Sequence, residues 1–148
     1  MSFHSEVTIT GKLFIDKTNG ITGQHEIFGF DNLVVTTGKA FIASRMVGAA
    51  SAVMGWMAAG ADITPANIAD VALGSQLGDM AALTNSDPVN NTVTYTATFD
   101  AGVATGDWTE AGIFDEEVGG TMLCRTVFPT VGKGAADIIV ITWIITVN

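Results

Sequence analysis

Few side chains in this sequence are of types that do chemistry. The two histidines, His4 and His25, have no partner at ligand spacing such as H-x-x-x-H, so a histidine-bound metal is not indicated. The lone Cys124 excludes an intramolecular disulfide and a multi-cysteine zinc site. It stands in an apolar run, Met122-Leu123-Cys124, that reads as a small buried hydrophobe. A nucleophile would need a base and an orienting acid; only a chance meeting of Cys124 with His25 would supply the base, and no G-x-S-x-G occurs. Paired carboxylates remain: Glu110 with Asp115, Glu116 or Glu117 has the types for acid-base hydrolysis of a glycan, or for a calcium site. The simpler reading of Asp115-Glu116-Glu117-Val118-Gly119-Gly120 is a solvated hairpin tip whose charge discourages edge pairing. The seventeen glycines never form G-x-G-x-x-G or a Walker loop, and the sequon Asn90-Asn91-Thr92 follows no secretion signal. The residues predict no enzyme, no cofactor and no metal.

Composition points elsewhere. Charged residues make up 14% of the 148 positions, against roughly 25–35% on the surface of a free monomer, so partners are expected to cover part of the exterior. Six Lys and Arg against fifteen Asp and Glu leave a net charge of −9, the wrong sign for neutralising phosphate, so nucleic acid is not expected as a partner. No apolar window reaches the ~18 residues of a membrane span, and MSFHSEVTIT lacks a basic and an apolar signal region, so no membrane partner and synthesis in a cytoplasm are expected.

The elements that would position these residues are mostly strands. Residues 6–16 alternate with period two, Val7, Ile9, Leu13 and Ile15 pointing one way, and Asn19-Gly20 predicts a type I′ hairpin into 21–28. After an extended Leu33–Val35, Thr36 or Thr37 is expected to cap one short helix ending at Gly48. Residues 49–67 read as extended loop with a strand near Val53–Met57, 71–74 as a short strand, and 75–91 as a long surface excursion. Thr92–Phe99 alternates cleanly; Trp108–Phe114 and Thr121–Phe128 form a second hairpin about the acidic tip. The last strand, Ile138–Val147, is apolar on both faces.

The pattern predicts a single mainly β domain over 1–148, an antiparallel β-sandwich of jelly-roll type with one short helix, and residues 1–6 as a flexible arm. In a sandwich only one face of the last strand meets the core, so its other face is expected to meet a second subunit. The anchors expected for self-association, as a homotrimer or homodimer, are Trp143, Ile139 and Ile141, with Trp56 and Met57 of the Met54–Met57 run as a secondary contact.

Several stretches resemble a family of small virion structural proteins of tailed bacteriophages. They are Asn32-Leu33-Val34-Val35-Thr36-Thr37-Gly38-Lys39, Val71-Ala72-Leu73-Gly74, Thr92–Phe99, Thr109-Glu110-Ala111-Gly112-Ile113-Phe114, Gly120–Phe128 and Ile141–Ile145. The resemblance implies a capsid decoration (cement) protein on the outer shell, with the major capsid protein as partner, or else a tail-fibre or tail-tip module. The size of the chain and its lack of repeats or heptads favour decoration, and its acidity suits the outer rather than the DNA side of a shell.

Overall fold

The period-two alternation at the start of the chain sets the first strand of the computed structural model, which describes residues 6–49 and 52–148. Strand β1 (Ile9–Thr18) pairs antiparallel with β2 (His25–Val34), from Gly11↔Asn32 to Thr18↔His25. The turn between them is not the two-residue type I′ turn expected at Asn19-Gly20. The Asn19 carboxamide oxygen accepts from the N–H groups of Ile21 and Thr22, at 2.9 and 3.0 Å, and the left-handed position is Gly23, φ 72°. Gly20 serves instead as a point of close approach to the backbone of Ala136, where a Cβ has no room.

Helix α1 (Thr36–Met46) follows at once, as expected, but neither threonine caps it. Val35 occupies the N-cap position, and the Thr37 hydroxyl donates to the carbonyl of Met122, 3.1 Å away, tying the helix to a strand rather than to its own end. Gly38 lets the helix approach that strand: a Cβ there would overlap the backbone of Leu123.

The remaining strands are β3 (Trp56–Gly60), β4 (Ala81–Val89), β5 (Thr92–Phe99), β6 (Gly106–Phe114), β7 (Met122–Lys133) and β8 (Ile138–Val147). Two expectations for the middle of the chain are corrected. Residues 71–74 are irregular, part of a strap over 61–80, and the supposed excursion 75–91 contains β4. The turn letters Asp87, Pro88, Asn90 and Asn91 concealed that strand. Pro88 is tolerated because residues 85–89 pair on one side only, with β5, so no ladder bond is lost on the other. The tight turn is Asn90-Asn91, with Asn90 at φ 55° between the paired Val89 and Thr92.

The strands close into an eight-stranded antiparallel barrel in the order β1-β2-β7-β6-β3-β4-β5-β8, not into a sandwich or jelly roll. Long ladders join β8 to β1 and to β5, and β6 to β7 and to β3. Two short seams complete the ring: Leu33↔Arg125 and Val34↔Cys124 between β2 and β7, and Trp56↔Ala82 and Met57↔Ala81 between β3 and β4. These seams separate a barrel from two packed sheets, and four residue pairs leave no periodic signature in a sequence.

The interior is packed, as an eight-stranded barrel of this width allows. Leu13, Ile15, Phe99, Trp108, Ile139, Ile141 and Trp143 are fully buried there, Phe99 meets Trp108 edge-to-face at 4.8 Å, and Phe30 stacks on Phe128 at 4.9 Å. A second, smaller core lies outside the barrel wall, where Val35, Ala58, Phe114 and Met122 are covered with help from Trp56, Leu73 and Met80.

Candidate functional site

Two features of the outer wall stand out, on opposite sides of the barrel. The first is an ionic clamp under the strap. Glu110 on β6 and Arg125 on β7 point outward, yet they are 0% and 2% exposed because the strap folds over them. The Arg125 Nε donates to Glu110 Oε2 at 2.9 Å, and one terminal nitrogen lies 2.8 Å from the same oxygen. The other terminal nitrogen donates to Asp70 Oδ2 at 2.8 Å; the first also reaches Asp62 Oδ2 at 3.4 Å and the Thr64 carbonyl at 3.1 Å. Glu110 in turn accepts from the backbone N–H of Gly74 at 3.0 Å and of Ser75 at 2.8 Å.

Local sequence explains how the strap presents these groups. The Asp62 carboxylate accepts from the N–H and hydroxyl of Thr64, and Asn67 and Asp70 cap one another's turn, so both acids are fixed by their own backbone before they meet the guanidinium. Gly74 has to be glycine: a Cβ there would overlap the Asp62 carboxylate. Burial alone would lower the pKa of Arg125; the hydrogen bonds it donates to Glu110 and Asp70, and their charges, outweigh it and hold the pKa above its ordinary value. The Asp62 carboxyl is held below the usual carboxylate range, first by the N–H and hydroxyl of Thr64 and then by Arg125. One guanidinium thus gathers three carboxylates, one from β6 and two from the strap, and ties the strap to the barrel wall. Among the described residues no group of three or more His, Cys, Asp or Glu is arranged to hold a metal ion.

The second feature is a bare sheet face. On the side opposite β6, the outward residues of β1, β8 and β5 form aligned rows, because Phe14 pairs with Thr142 and Thr142 with Thr96. The eighteen residues of β5 and β8 contain no charge. The main contacts of β1, β5 and β8 are with their ladder neighbours, while α1 packs on β7 and the strap lies over β3, β6 and β7. Phe14, Val140 and Ile144 are half-buried by their neighbours alone.

The residues singled out from the sequence fall as follows. Trp143, Ile139 and Ile141 are 0% exposed in the barrel interior, closed to any partner while the barrel is folded; the outward residues of the same strand are Val140, Thr142 and Ile144. Met57 is fully buried in the main core and Trp56 half-buried in the outer one. Glu110 is held by Arg125 and the strap, so the pairing with Asp115, Glu116 or Glu117 does not form. Asp115 accepts from the N–H of Thr121 within the hairpin tip. Cys124 lies inside the barrel, where burial pushes its thiol pKa up. His25 is on the surface, 3.2 Å from Asp16 and from Thr18, and does not meet the cysteine. His4 and the arm 1–6, Glu6 excepted, lie outside the described residues.

The reading of the sequence missed Arg125, Asp62 and Asp70. A signal existed for the first: Glu110 and Arg125 are the single, opposite charges of Trp108–Phe114 and Thr121–Phe128, the two arms of the expected hairpin. The strap acids had none, since 61–80 has no period.

No protein-family model, no curated protein and no solved structure matches the chain significantly. The clamp joins three stretches distant in the sequence, through Gly74, Glu110 and Arg125.

Proposed function

We propose that this protein is a structural component of a tailed-bacteriophage particle, a capsid decoration protein that binds the outer shell and stabilises it by bridging capsid subunits. It acts by adhesion and self-association rather than by catalysis. The observation that carries the reading is the charge-free outer face of β5 and β8 in a chain whose net charge is −9. An acidic protein that spreads its charge evenly stays apart from its copies; one that clears a whole sheet face of charge leaves a surface for contact. Burial of such a face contributes about 25 cal/mol per Å², and repetition over a lattice multiplies a weak contact into firm attachment. The orientation of the barrel fits the same reading. Its apolar residues point inward and fill it, whereas a membrane-spanning barrel is apolar outside and polar within.

The test is electron cryo-microscopy of particles containing the protein, counting copies and locating them. Hundreds of copies over the shell are expected. A handful confined to the tail would overturn the capsid reading and assign the barrel to a tail-fibre or tail-tip module.

A further inference from the structure

From the register of the bare face, and resting on the self-association reading above, we infer that a second copy of this chain docks there about a twofold axis lying in the face and running across the strands. Three parallel rows cross it. The central row is Phe14, Thr142 and Thr96; one flanking row is Lys12, Ile144 and Thr94, and the other is Asp16, Val140 and Thr98. Rotation about the central row lays each flanking row on its opposite in the partner: lysine on aspartate, isoleucine on valine, threonine on threonine. The face is thus self-complementary in charge and in shape, the condition an isologous contact imposes.

Only this axis satisfies the charges. An axis parallel to the strands through β8 would lay β1 over β5 of the copy, setting Lys12 on Thr94 and Asp16 on Thr98 and leaving both charges without an opposite. Lys12 and Asp16 are four residues apart on one face of β1, about 13 Å at strand spacing, so a twofold midway between them passes over Phe14. The Lys12 ammonium already sits 5.7 Å from the centre of that ring, at the edge of the face. The three strands, about 4.8 Å apart and about eight residues long, offer on the order of 400 Å² per copy, below the size of a standard specific interface. Such a pair is weak in solution and gains strength from being repeated on a particle.

A charge-swap cycle tests the geometry on the full chain by sedimentation equilibrium. Lys12→Asp and Asp16→Lys, taken singly, should each weaken the dimer about tenfold, because two attractive pairs become repulsive. The double variant should restore the dimer to within about threefold of the wild type, since each new lysine faces a new aspartate. Thr142→Arg places two guanidinium groups across the axis and should leave a folded monomer by circular dichroism. A wild-type chain that stays monomeric at high micromolar concentration, a double variant no better than the singles, or a Thr142→Arg variant that still dimerises would each overturn the inference. A tail location with an intact swap cycle would refute the capsid reading alone, and a monomeric chain on a decorated shell would refute the twofold alone.

Discussion

Replacing Arg125 with methionine keeps most of the side-chain volume and removes the cation from the middle of the clamp. Glu110, with no exposed surface, would keep three backbone donors, Asp62, Gly74 and Ser75, but lose its cation, and Asp70 would lose its 2.8 Å partner. Removing one partner of a buried ion pair costs about 3–5 kcal/mol, because the remaining charge stays desolvated. For a chain of this size that is a fall of about 10–15 °C in melting temperature. Adding Glu110→Gln to Arg125→Met removes the stranded charge and should recover about half of the loss, since the amide oxygen can still accept from the strap N–H groups. Urea unfolding of the four proteins of this cycle gives the coupling directly, expected to exceed about 1 kcal/mol. Amide exchange at Gly74 and Ser75 should accelerate more than exchange in β8, because the strap opens before the barrel. An Arg125→Met variant within about 1 kcal/mol of the wild type, or single losses that simply add in the double, would refute the account of the clamp.

Trp143→Ala should cost about 3–5 kcal/mol in urea unfolding, as the loss of an interior ring does, whereas Thr142→Ala, one residue along and facing out, should stay within about 0.5 kcal/mol. Gly38→Ala should lower stability by about 1–3 kcal/mol or more by thermal melting, because the new methyl meets the Leu123 backbone, which cannot rotate away. The Cys124 thiol, buried and with its pKa raised by that burial, should fail to react with maleimide in the native protein at pH 8 and react fully in denaturant. Asp62 is held below its ordinary pKa by Thr64, and Asp137 by the N–H groups of Gly20 and Gly134. A depressed folded-state pKa confers stability that is complete above the unfolded value of about 4 and disappears as pH falls through the folded one. Urea midpoints should therefore drop below about pH 4, and Asp137→Asn should make that drop shallower.

What could be read from the sequence was whatever repeats every two residues. The faces of β5 and most of β1 were legible because apolar and polar residues alternate there, whereas β8, apolar on both faces, showed itself as a strand without showing which face turns inward. The helix was legible from its length, but its cap was not: Thr37 was drawn away by a carbonyl 85 residues distant, a tertiary contact that outweighs local capping. β4 was hidden because an edge strand tolerates the proline and asparagines that elsewhere mean a loop. The choice between barrel and sandwich was invisible, since both demand the same alternation and differ here only in two short seams. Residue size does not separate the two faces of β8: the closed barrel encloses Trp143, Ile139 and Ile141, and the outward positions of the same strand are Val140, Thr142 and Ile144.

That assignment changes what the charge deficit of the chain means. A barrel has one continuous outer wall, and this one treats its two halves differently. Over β7, β6 and β3 the chain covers its own apolar residues, spending a helix, a twenty-residue strap and three of its carboxylates on a second small core. Over β1, β8 and β5 it presents a similar density of β-branched and aromatic residues, and among the described residues nothing covers them. If the missing charge were only an effect of a large interior, it would be missing evenly, and both halves would carry the Lys and Glu that normally line an exposed sheet. The deficit instead falls on the half with no lid, where the two charges that remain on β1's outward side, Lys12 and Asp16, have opposite sign and equal distance from Phe14. Self-complementarity at that one place explains both the absence of charge and the position of what is left.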